Sequence, residues 1–174
     1  MRRARTPRLV ARAVISMAVV AIAVCGCGDS SASTSVGSVR FAAADGTNTT
    51  ISSFKGTPLV VNLWATYCGP CVKEMPAIDS VATMLAGQVQ IIGVNVFDSP
   101  QDAAAFARER GVSYPQFTDP DGNLSTALNV TGLPATAFFD ADGTLLEVHS
   151  GPYTADSLRA AISTHFSTVQ GSSS

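Results

Sequence analysis

The sequence predicts a single α/β domain in which a mixed β-sheet carries helices on both faces. Three observations lead to this prediction. Short apolar runs of strand length alternate with segments whose apolar residues recur at helical spacing. A hairpin signal follows them near the C-terminus, so at least one strand pair is antiparallel. The chain has 174 residues, of which 46% are hydrophobic and 14% charged, enough for one compact core.

The elements follow in order along this domain. Residues 59–64, LVVNLW, form a continuous apolar run, as expected for a strand that is buried on both faces. Apolar positions from Cys71 to Leu85 recur at helical spacing, so a helix is predicted from the second cysteine to about Ala86, before Gly87. The remaining predicted elements are a strand at 89–96, a helix from Pro100 to Gly111, a brief helix at 124–128, hairpin strands at 136–140 and 144–150, and a final helix at 154–166.

The first 26 residues have the pattern of a secretory signal peptide. Residues 1–12 carry five arginines and no acidic residue, and residues 13–24 form an apolar run of 12. Such a run is too short to span a bilayer, which takes roughly 20 residues, but it has the length of a signal-peptide core. We therefore expect residues 1–26 to be removed on export.

The apolar run ends in Val24-Cys25-Gly26-Cys27, which resembles the lipobox of bacterial lipoproteins. The resemblance implies that Cys27 is lipidated and becomes the new N-terminus, which would anchor the chain to the outer face of the cytoplasmic membrane. Cys25 fits the pattern less well, because Val24 would stand directly before it. A free secreted protein and an uncleaved signal anchor are the alternatives.

The mature chain would be acidic. Loss of the five arginines of residues 1–26 changes the formal net charge from −2 to −7. Such a charge gives no electrostatic basis for binding nucleic acid or anionic lipid, so we expect no nucleic-acid partner and membrane attachment through the lipid alone. Residues 27–38 and 167–174 are mostly small and polar, and predict a flexible tether and a disordered tail around a domain at 39–166.

The motif Cys68-Gly-Pro-Cys71 stands where the first strand gives way to the helix. Cys25 would leave with the signal peptide and the sulfur of Cys27 would carry lipid, so this pair would hold the remaining thiols. Outside the cytoplasm a close pair is expected to form a disulfide. The partial positive charge of a helix N-terminus stabilises a thiolate, so Cys68 is predicted as the attacking thiol and Cys71, facing the core, as the resolving thiol.

Metal binding and a purely structural disulfide are the alternatives for this pair. A structural zinc site takes four ligands, and the further donors His149 and His165 do not lie at ligand spacing from the cysteines. A disulfide that closes so short a loop removes little chain entropy, which disfavours a structural staple. The sequence therefore favours redox chemistry without a metal or other cofactor. His165, near the end of the last helix, is expected to be solvated.

Residues 39–166 resemble the thioredoxin-fold TlpA/ResA-like family of extracytoplasmic thiol-disulfide oxidoreductases. The motifs that carry the resemblance are WATYCGPCVKEMP at 64–76, FAAADG and ISSFKGTPLVVNLW within 41–64, and GLPATAFFDADG at 132–143. The family implies a thioredoxin-like mixed sheet with an N-terminal extension and a central βα insertion, here within 97–130. It also implies that Pro134 is the cis-proline beside the active cysteines. The residues implied to contact the substrate are Trp64, Tyr67, Leu133 and Pro134.

Glu74 and Asn62 distinguish the chain from a cytoplasmic thioredoxin. The family places a glutamate three residues after the second cysteine, where Glu74 stands, and cytoplasmic thioredoxins carry a buried aspartate at the position of Asn62. A partly buried Glu74 would have a raised pKa and would move a proton as the disulfide opens or closes. Without a partner such a carboxylate would be costly. The alternative is a solvated first-turn glutamate favoured by the helix dipole.

The resemblance implies an enzyme that reduces protein disulfides, commonly the Cys-x-x-Cys-His segment of apocytochrome c, and that is recharged by a membrane electron donor of the DsbD/CcdA type. Gly-Pro between the cysteines is similar to reducing thioredoxins, with potentials of about −270 mV, whereas strong oxidants lie at about −120 mV. An oxidant that forms disulfides in secreted proteins is the enzymatic alternative.

Two other thioredoxin-like classes differ from this motif in cysteine spacing or in the residues before the first cysteine. A Sco-like copper chaperone is the non-enzymatic alternative, but it resembles Cys-x-x-x-Cys with a later histidine, for which only His149 is available. A peroxiredoxin resembles Pro-x-x-x-Thr-x-x-Cys, and this chain has Val61 and Ala65 at the proline and threonine positions before Cys68. The sequence therefore lacks the peroxiredoxin motif.

Overall fold

The computed structural model describes residues 35–166. In this range the chain forms a mixed sheet of seven strands, with α-helices on both of its faces, so the predicted α/β class is confirmed. The strands are β1 (Arg40–Ala43), β2 (Asn48–Thr50), β3 (Leu59–Trp64), β4 (Gln90–Val96), β5 (Gln116–Asp119), β6 (Ala135–Phe139) and β7 (Leu145–Ser150). The helices are α1 (Gly69–Met84), α2 (Pro100–Glu109), α3 (Asn123–Ala127) and α4 (Ala155–His165).

The strands lie in the order β2-β1-β5-β4-β3-β6-β7. The two central strands β3 and β4 run parallel, with Leu59 opposite Gln90 and Trp64 opposite Asn95. Strand β6 pairs antiparallel with β3 and with β7, and β5 pairs parallel with β4. Every residue of β3 is buried, which explains why this strand is apolar at every position except Asn62.

The two faces of β3 belong to different parts of the core. Alternate side chains of a strand point to opposite faces, so Val60 and Val61 pack into separate clusters. Val60 packs with residues of α1 and α4, such as Ile78 and Leu158, whereas Val61 packs with Leu124 of α3. Trp64 joins a third cluster with Cys71 of α1 and residues of α2. The start of α1 is therefore held between the central strand and α2.

Three strands of the described sheet were not located from the residue pattern, although the family resemblance implied a strand in the insertion within 97–130, where β5 lies. Strands β1, β2 and β5 are three or four residues long, and each is only partly buried. Runs this short give no alternation that can be told from a loop. Their pairing defines them: Ala42 and Ala43 lie opposite Thr118 and Phe117, which joins the N-terminal hairpin to the inserted strand β5.

The domain begins earlier than predicted. Val36–Ser38, placed in the flexible tether by the sequence, form a 3-10 turn whose Val36 packs against the core cluster of α3. The hydroxyl of Ser52 donates a 2.7 Å hydrogen bond to the carbonyl oxygen of Gly37. The small polar composition of this segment therefore did not distinguish a tether from an ordered turn.

The prediction that His165 is solvated is wrong. Its ring packs on Phe138, with ring centroids 4.7 Å apart, and its Nε2 lies 2.8 Å from Oε2 of Glu147 on β7. The contact ties the end of α4 to the edge of the sheet. Sequence spacing gave no hint of it, because the two partners are brought together only by the packing of α4 on β6 and β7.

Residues 1–34 and 167–174 lie outside the described residues. The predicted signal peptide, most of the tether, the lipidation of Cys27 and the C-terminal tail therefore stay predictions. Within residues 35–166 no helix is long and apolar enough to cross a membrane.

Candidate active site

Cys68 and Cys71 form a disulfide at the junction of β3 and α1. Cys68 is the N-cap of α1, and its sulfur accepts a 3.3 Å hydrogen bond from the backbone N–H of Cys71. Pro70 stands in the first turn of the helix, where its missing N–H removes no helical hydrogen bond. Cys68 is 8% exposed and Cys71 is completely buried. The structure thus makes Cys68 the more accessible sulfur, as the sequence predicted.

A cavity of about 450 Å³ lies next to Cys68 and not next to Cys71. Tyr67 and Phe97 contribute aromatic side chains to its lining, and Leu133 contributes an aliphatic one. No charged side chain lines the cavity. An incoming group that reaches the sulfur of Cys68 through this cavity therefore meets an uncharged, largely apolar surface.

The structure places three of the four predicted substrate-contact residues at or beside this cavity. Tyr67 lines it and is 68% exposed, and Leu133 lines it while half-buried. The Leu133–Pro134 peptide bond is cis, as the family resemblance implied, and Pro134 itself is buried. Contact of these residues with a client stays a prediction.

The prediction that Trp64 contacts a substrate is wrong. The side chain is completely buried, and its Nε1 donates a 3.0 Å hydrogen bond to Oε1 of Gln116. Its ring packs beside Phe106 of α2, with centroids 5.9 Å apart. As the last residue of β3, Trp64 follows the alternation of that strand to the face covered by α1 and α2. Its role is to support the helix start from inside.

Glu74 lies one turn after Cys71 on α1 and is only 3% exposed, so the alternative of a solvated glutamate is wrong. Its Oε1 accepts a hydrogen bond from Nδ2 of Asn62, and its Oε2 accepts one from the backbone N–H of Tyr153, both 2.8 Å long. Burial raises the pKa of Glu74 above its ordinary value, although both hydrogen bonds act in the opposite direction. The sequence did not foresee either partner.

Asp98 is a site residue that the sequence analysis missed. Its Oδ2 accepts a 2.7 Å hydrogen bond from the backbone N–H of Thr66, and its Oδ1 accepts a 2.9 Å hydrogen bond from the Thr66 hydroxyl. Nδ2 of Asn95 donates to the same carboxylate at 2.7 Å. Asp98 therefore holds the loop that carries Tyr67 and Cys68.

The described residues contain no cluster of three histidine, cysteine, aspartate or glutamate side chains that could hold a metal ion. The two histidines take part in aromatic packing instead. His149 lies against the ring of Tyr153, with centroids 4.3 Å apart, and His165 packs on Phe138.

The arrangement suits thiol-disulfide exchange. The disulfide bond can be opened by a thiolate that reaches Cys68, since the cavity gives access to that sulfur alone. Attack at Cys68 expels Cys71 as the thiolate. When a second thiol then resolves the mixed disulfide, the thiolate released on Cys68 would be stabilised by the helix N-terminus. The other sulfur, on Cys71, is enclosed next to a helix turn that carries a buried carboxylate with a raised pKa, which can hold or release a proton.

The sequence matches the family model described as Redoxin over residues 31–162. Thiol-disulfide oxidoreductase ResA of Geobacillus kaustophilus is 29% identical over 109 residues, which cover 62% of this chain and 63% of the relative. Thiol:disulfide interchange protein DsbE of Vibrio cholerae is 36% identical over 101 residues, which cover 58% of this chain and 53% of the relative. The chain thus spans less than two thirds of the length of these curated relatives.

The fold is similar to the solved structure of MTB DsbF in its mixed oxidized and reduced forms. The two structures superpose with a TM-score of 0.66 and 28% sequence identity, over 72% of this chain and 93% of that chain. This similarity confirms the predicted thioredoxin-like fold.

Proposed function

Because the chain belongs to the redoxin family, and within it to the TlpA/ResA-like proteins, we propose that it is a thiol-disulfide oxidoreductase acting on protein disulfides through Cys68 and Cys71. The observation that carries the proposal is the placement of this disulfide at the start of α1, with Cys68 facing the cavity and Cys71 enclosed. A purely structural disulfide would need no cavity at one of its sulfurs.

The proposed reaction moves two electrons from the protein dithiol to a client disulfide. The Cys68 thiolate attacks one client sulfur, the client disulfide breaks, and the second client sulfur leaves as a thiolate that takes up a proton. Cys71 then loses its proton and attacks the Cys68 sulfur. The mixed disulfide breaks, the first client sulfur leaves as a thiolate that takes up a proton, and the Cys68–Cys71 disulfide is restored. Glu74 is the proposed acceptor of the Cys71 proton, since it lies buried on the next turn.

The proposed direction of electron flow is from this protein to its client. Gly69 and Pro70 between the cysteines are similar to the pair in reducing thioredoxins, which supports a low potential. On the same family resemblance, apocytochrome c is the proposed client, and a membrane protein of the DsbD/CcdA type the proposed electron donor.

The proposed location is the outer face of the cytoplasmic membrane. Support comes from the arginine-rich residues 1–12, the apolar run at 13–24 and the lipobox-like Cys27. A lipid anchor there would place the redox domain in an oxidising compartment, where a reductant must be recharged across the membrane.

Two measurements test the function and its direction. Reduced protein should reduce the insulin disulfides, and absence of any dithiol-dependent insulin reduction would contradict the oxidoreductase proposal. The reduction potential of the Cys68–Cys71 pair, measured at equilibrium with glutathione, decides the direction. A value of about −270 mV supports the reductant, whereas a value of about −120 mV would favour the oxidant that forms disulfides.

A further inference from the structure

Phe97 is an aromatic residue at the mouth of the active-site cavity, and neither the motif nor the proposed mechanism uses it. It follows β4 directly, lines the cavity together with Cys68, and is 56% exposed. Its φ angle is 69°, in the left-handed region that bulky side chains rarely adopt. An exposed phenylalanine in an unfavourable backbone conformation gains little for the fold, so the position calls for another explanation.

The neighbouring residues fix Phe97 in this conformation. The next residue, Asp98, is held by the Thr66 and Asn95 hydrogen bonds, and the backbone N–H of Phe97 donates to the carbonyl oxygen of Asp119 at 3.4 Å. On the other side the ring lies against Gly122, where a Cβ atom would overlap it. The backbone at Phe97 is therefore held through Asp98 to the loop before Cys68, and the Phe97 ring lies on the turn that begins α3.

We propose that Phe97 is a specificity-determining residue that packs against an apolar side chain next to the client cysteine. The inference rests on the proposed function, because it needs a polypeptide client joined to Cys68. Cys71 is completely buried and Cys68 is 8% exposed at the cavity, so a mixed disulfide at Cys68 places the residues flanking the client cysteine in that cavity. Phe97 and Tyr67 are the aromatic side chains that such residues meet there.

The chemistry of the cavity selects an apolar neighbour. The lining has no charged side chain, so a charged client residue would lose hydration without gaining an ion pair. An aromatic or aliphatic residue instead buries apolar surface against the Phe97 ring. The occupant is thus an extended protein segment with an apolar residue beside its cysteine.

A pair of synthetic peptides tests this preference. Both contain the same disulfide-closed ring, and the residues flanking the two cysteines outside the ring are phenylalanine in one peptide and glutamine in the other. Both peptides can carry the same net charge, so repulsion by the acidic protein is matched. Reduced protein transfers two electrons to each peptide, becoming oxidised at Cys68 and Cys71. The rate is followed by acid quenching and mass spectrometry of both partners.

The expected result is that the native protein reduces the phenylalanine peptide roughly tenfold faster than the glutamine peptide, the size of effect that one apolar contact in a pocket provides. Phe97→Gly should bring the ratio of the two rates close to one. Glycine adopts a positive φ readily, so this variant is expected to keep the loop conformation and to fold. Phe97→Tyr, which keeps the ring, should keep the preference.

Met84→Ser is the matched control. Met84 is 55% exposed, close to the value for Phe97, but it lies at the far end of α1 and does not line the cavity. Its replacement should leave both rates unchanged. A native ratio near one, or a preference that survives Phe97→Gly, would overturn the role of Phe97 while the oxidoreductase function stands. If the native protein reduced neither of the peptides nor insulin, the role of Phe97 and the oxidoreductase function would both be overturned.

Discussion

The side-chain amide of Asn62 donates a 2.8 Å hydrogen bond to the carboxylate of Glu74, and both residues are buried. Oδ1 of the same amide is buried without a hydrogen-bond partner. Rotation of the side-chain amide by about 180° exchanges the positions of its oxygen and nitrogen atoms. Asn62 can therefore donate to Glu74 when the carboxylate is ionised and accept from Glu74 when it is protonated. The pair tolerates both charge states with one small movement.

Asn62→Leu should raise the pKa of Glu74 further, because the variant keeps the burial and removes one of the two donors to the carboxylate. At neutral pH the expected loss in unfolding free energy is about 2 kcal/mol, the range for a hydrogen bond to a charged group. Chemical denaturation of the variant, in the native background and with Glu74→Gln, measures the coupling between the two residues. Equal losses in both backgrounds would show that Asn62 does not act through Glu74.

Glu74→Gln should change the pH dependence of stability. Burial raises the folded-state pKa of Glu74 above the ordinary 4.5, so on raising the pH the unfolded chain loses this proton first. Between the two pKa values the folded chain binds more protons, and the native unfolding free energy falls as pH rises. The loss is complete above the folded-state pKa. Denaturation at a series of pH values should show this slope in the native protein and a weaker one in the variant.

The same variant tests the proton transfer. If Glu74 accepts the Cys71 proton, the rate of disulfide exchange should lose one titration step in Glu74→Gln while the Cys68–Cys71 disulfide still forms. Exchange rates from roughly pH 5 to 9 cover the range in which a carboxyl group with a raised pKa and a cysteine thiol titrate. Superimposable profiles of variant and native protein would leave Glu74 a structural residue.

Replacement of Cys68 and replacement of Cys71 should impair disulfide exchange at different steps. Cys68→Ser removes the attacking sulfur and should abolish insulin reduction. Cys71→Ser keeps the attack but removes the resolving thiol, so mixed disulfides through Cys68 should accumulate and be visible by mass spectrometry. Client adducts on Cys71 in the Cys68→Ser variant, with activity retained, would reverse the assignment.

The sequence predicted the elements whose periodicity is strong. Strand β3 and helix α1 were found within two residues of their ends, because a fully buried strand and a sixteen-residue helix leave long patterns. Strand β5, Gln116–Asp119, has one apolar residue, and its position within the insertion implied by the family was not located from the sequence. Its place is fixed by pairing with β4 on one side and β1 on the other, information that no local window contains.

The site residues likewise divide into those that the sequence could identify and those that it could not. Cys68, Cys71, Glu74 and Pro134 lie in motifs of the family and could be named from the sequence. Asp98 could not, because it is 32 positions from Thr66 and meets it only since β3 and β4 are parallel neighbours. Parallel neighbours end at the same edge of a sheet, so a polar residue just after β4 was the available signal. Trp64 was misplaced although it ends the run 59–64, which the sequence predicts to be buried on both faces; its place in the cysteine motif was given more weight than that burial.

Lipidation should depend on Cys27 and not on Cys25. Cys27→Ala is expected to block lipid attachment and to leave the precursor uncleaved, since the modified cysteine is the one that becomes the N-terminus. Cys25→Ala is the matched control, because it removes a thiol two residues away and should be processed normally. Intact mass measurement of the membrane fraction distinguishes the two. Normal processing of Cys27→Ala, with loss in Cys25→Ala, would move the site to Cys25.

Asp98→Asn should slow disulfide exchange although the residue lies outside the cysteine motif. The carboxylate accepts hydrogen bonds from the Thr66 backbone N–H, the Thr66 hydroxyl and the Asn95 side chain. An amide in its place has only one oxygen to accept these bonds, and its NH₂ group would face a donor. The loop before Cys68 would then lose its anchor. The expected effect is a roughly tenfold slower attack by Cys68, equivalent to about 1.4 kcal/mol.

Asp102→Asn separates this anchoring from the loss of one negative charge. Asp102 lies on the exposed first turn of α2, accepts a hydrogen bond from the Ser99 hydroxyl and has no contact with Thr66 in the described hydrogen-bond network. Both variants remove one negative charge between the end of β4 and the first turn of α2, so a general electrostatic effect would change both rates alike. Because only Asp98 holds the Thr66 backbone, we expect the attack rate to fall in Asp98→Asn and to stay native in Asp102→Asn. Equal rates in the two variants would show that the loop needs no anchor from Asp98.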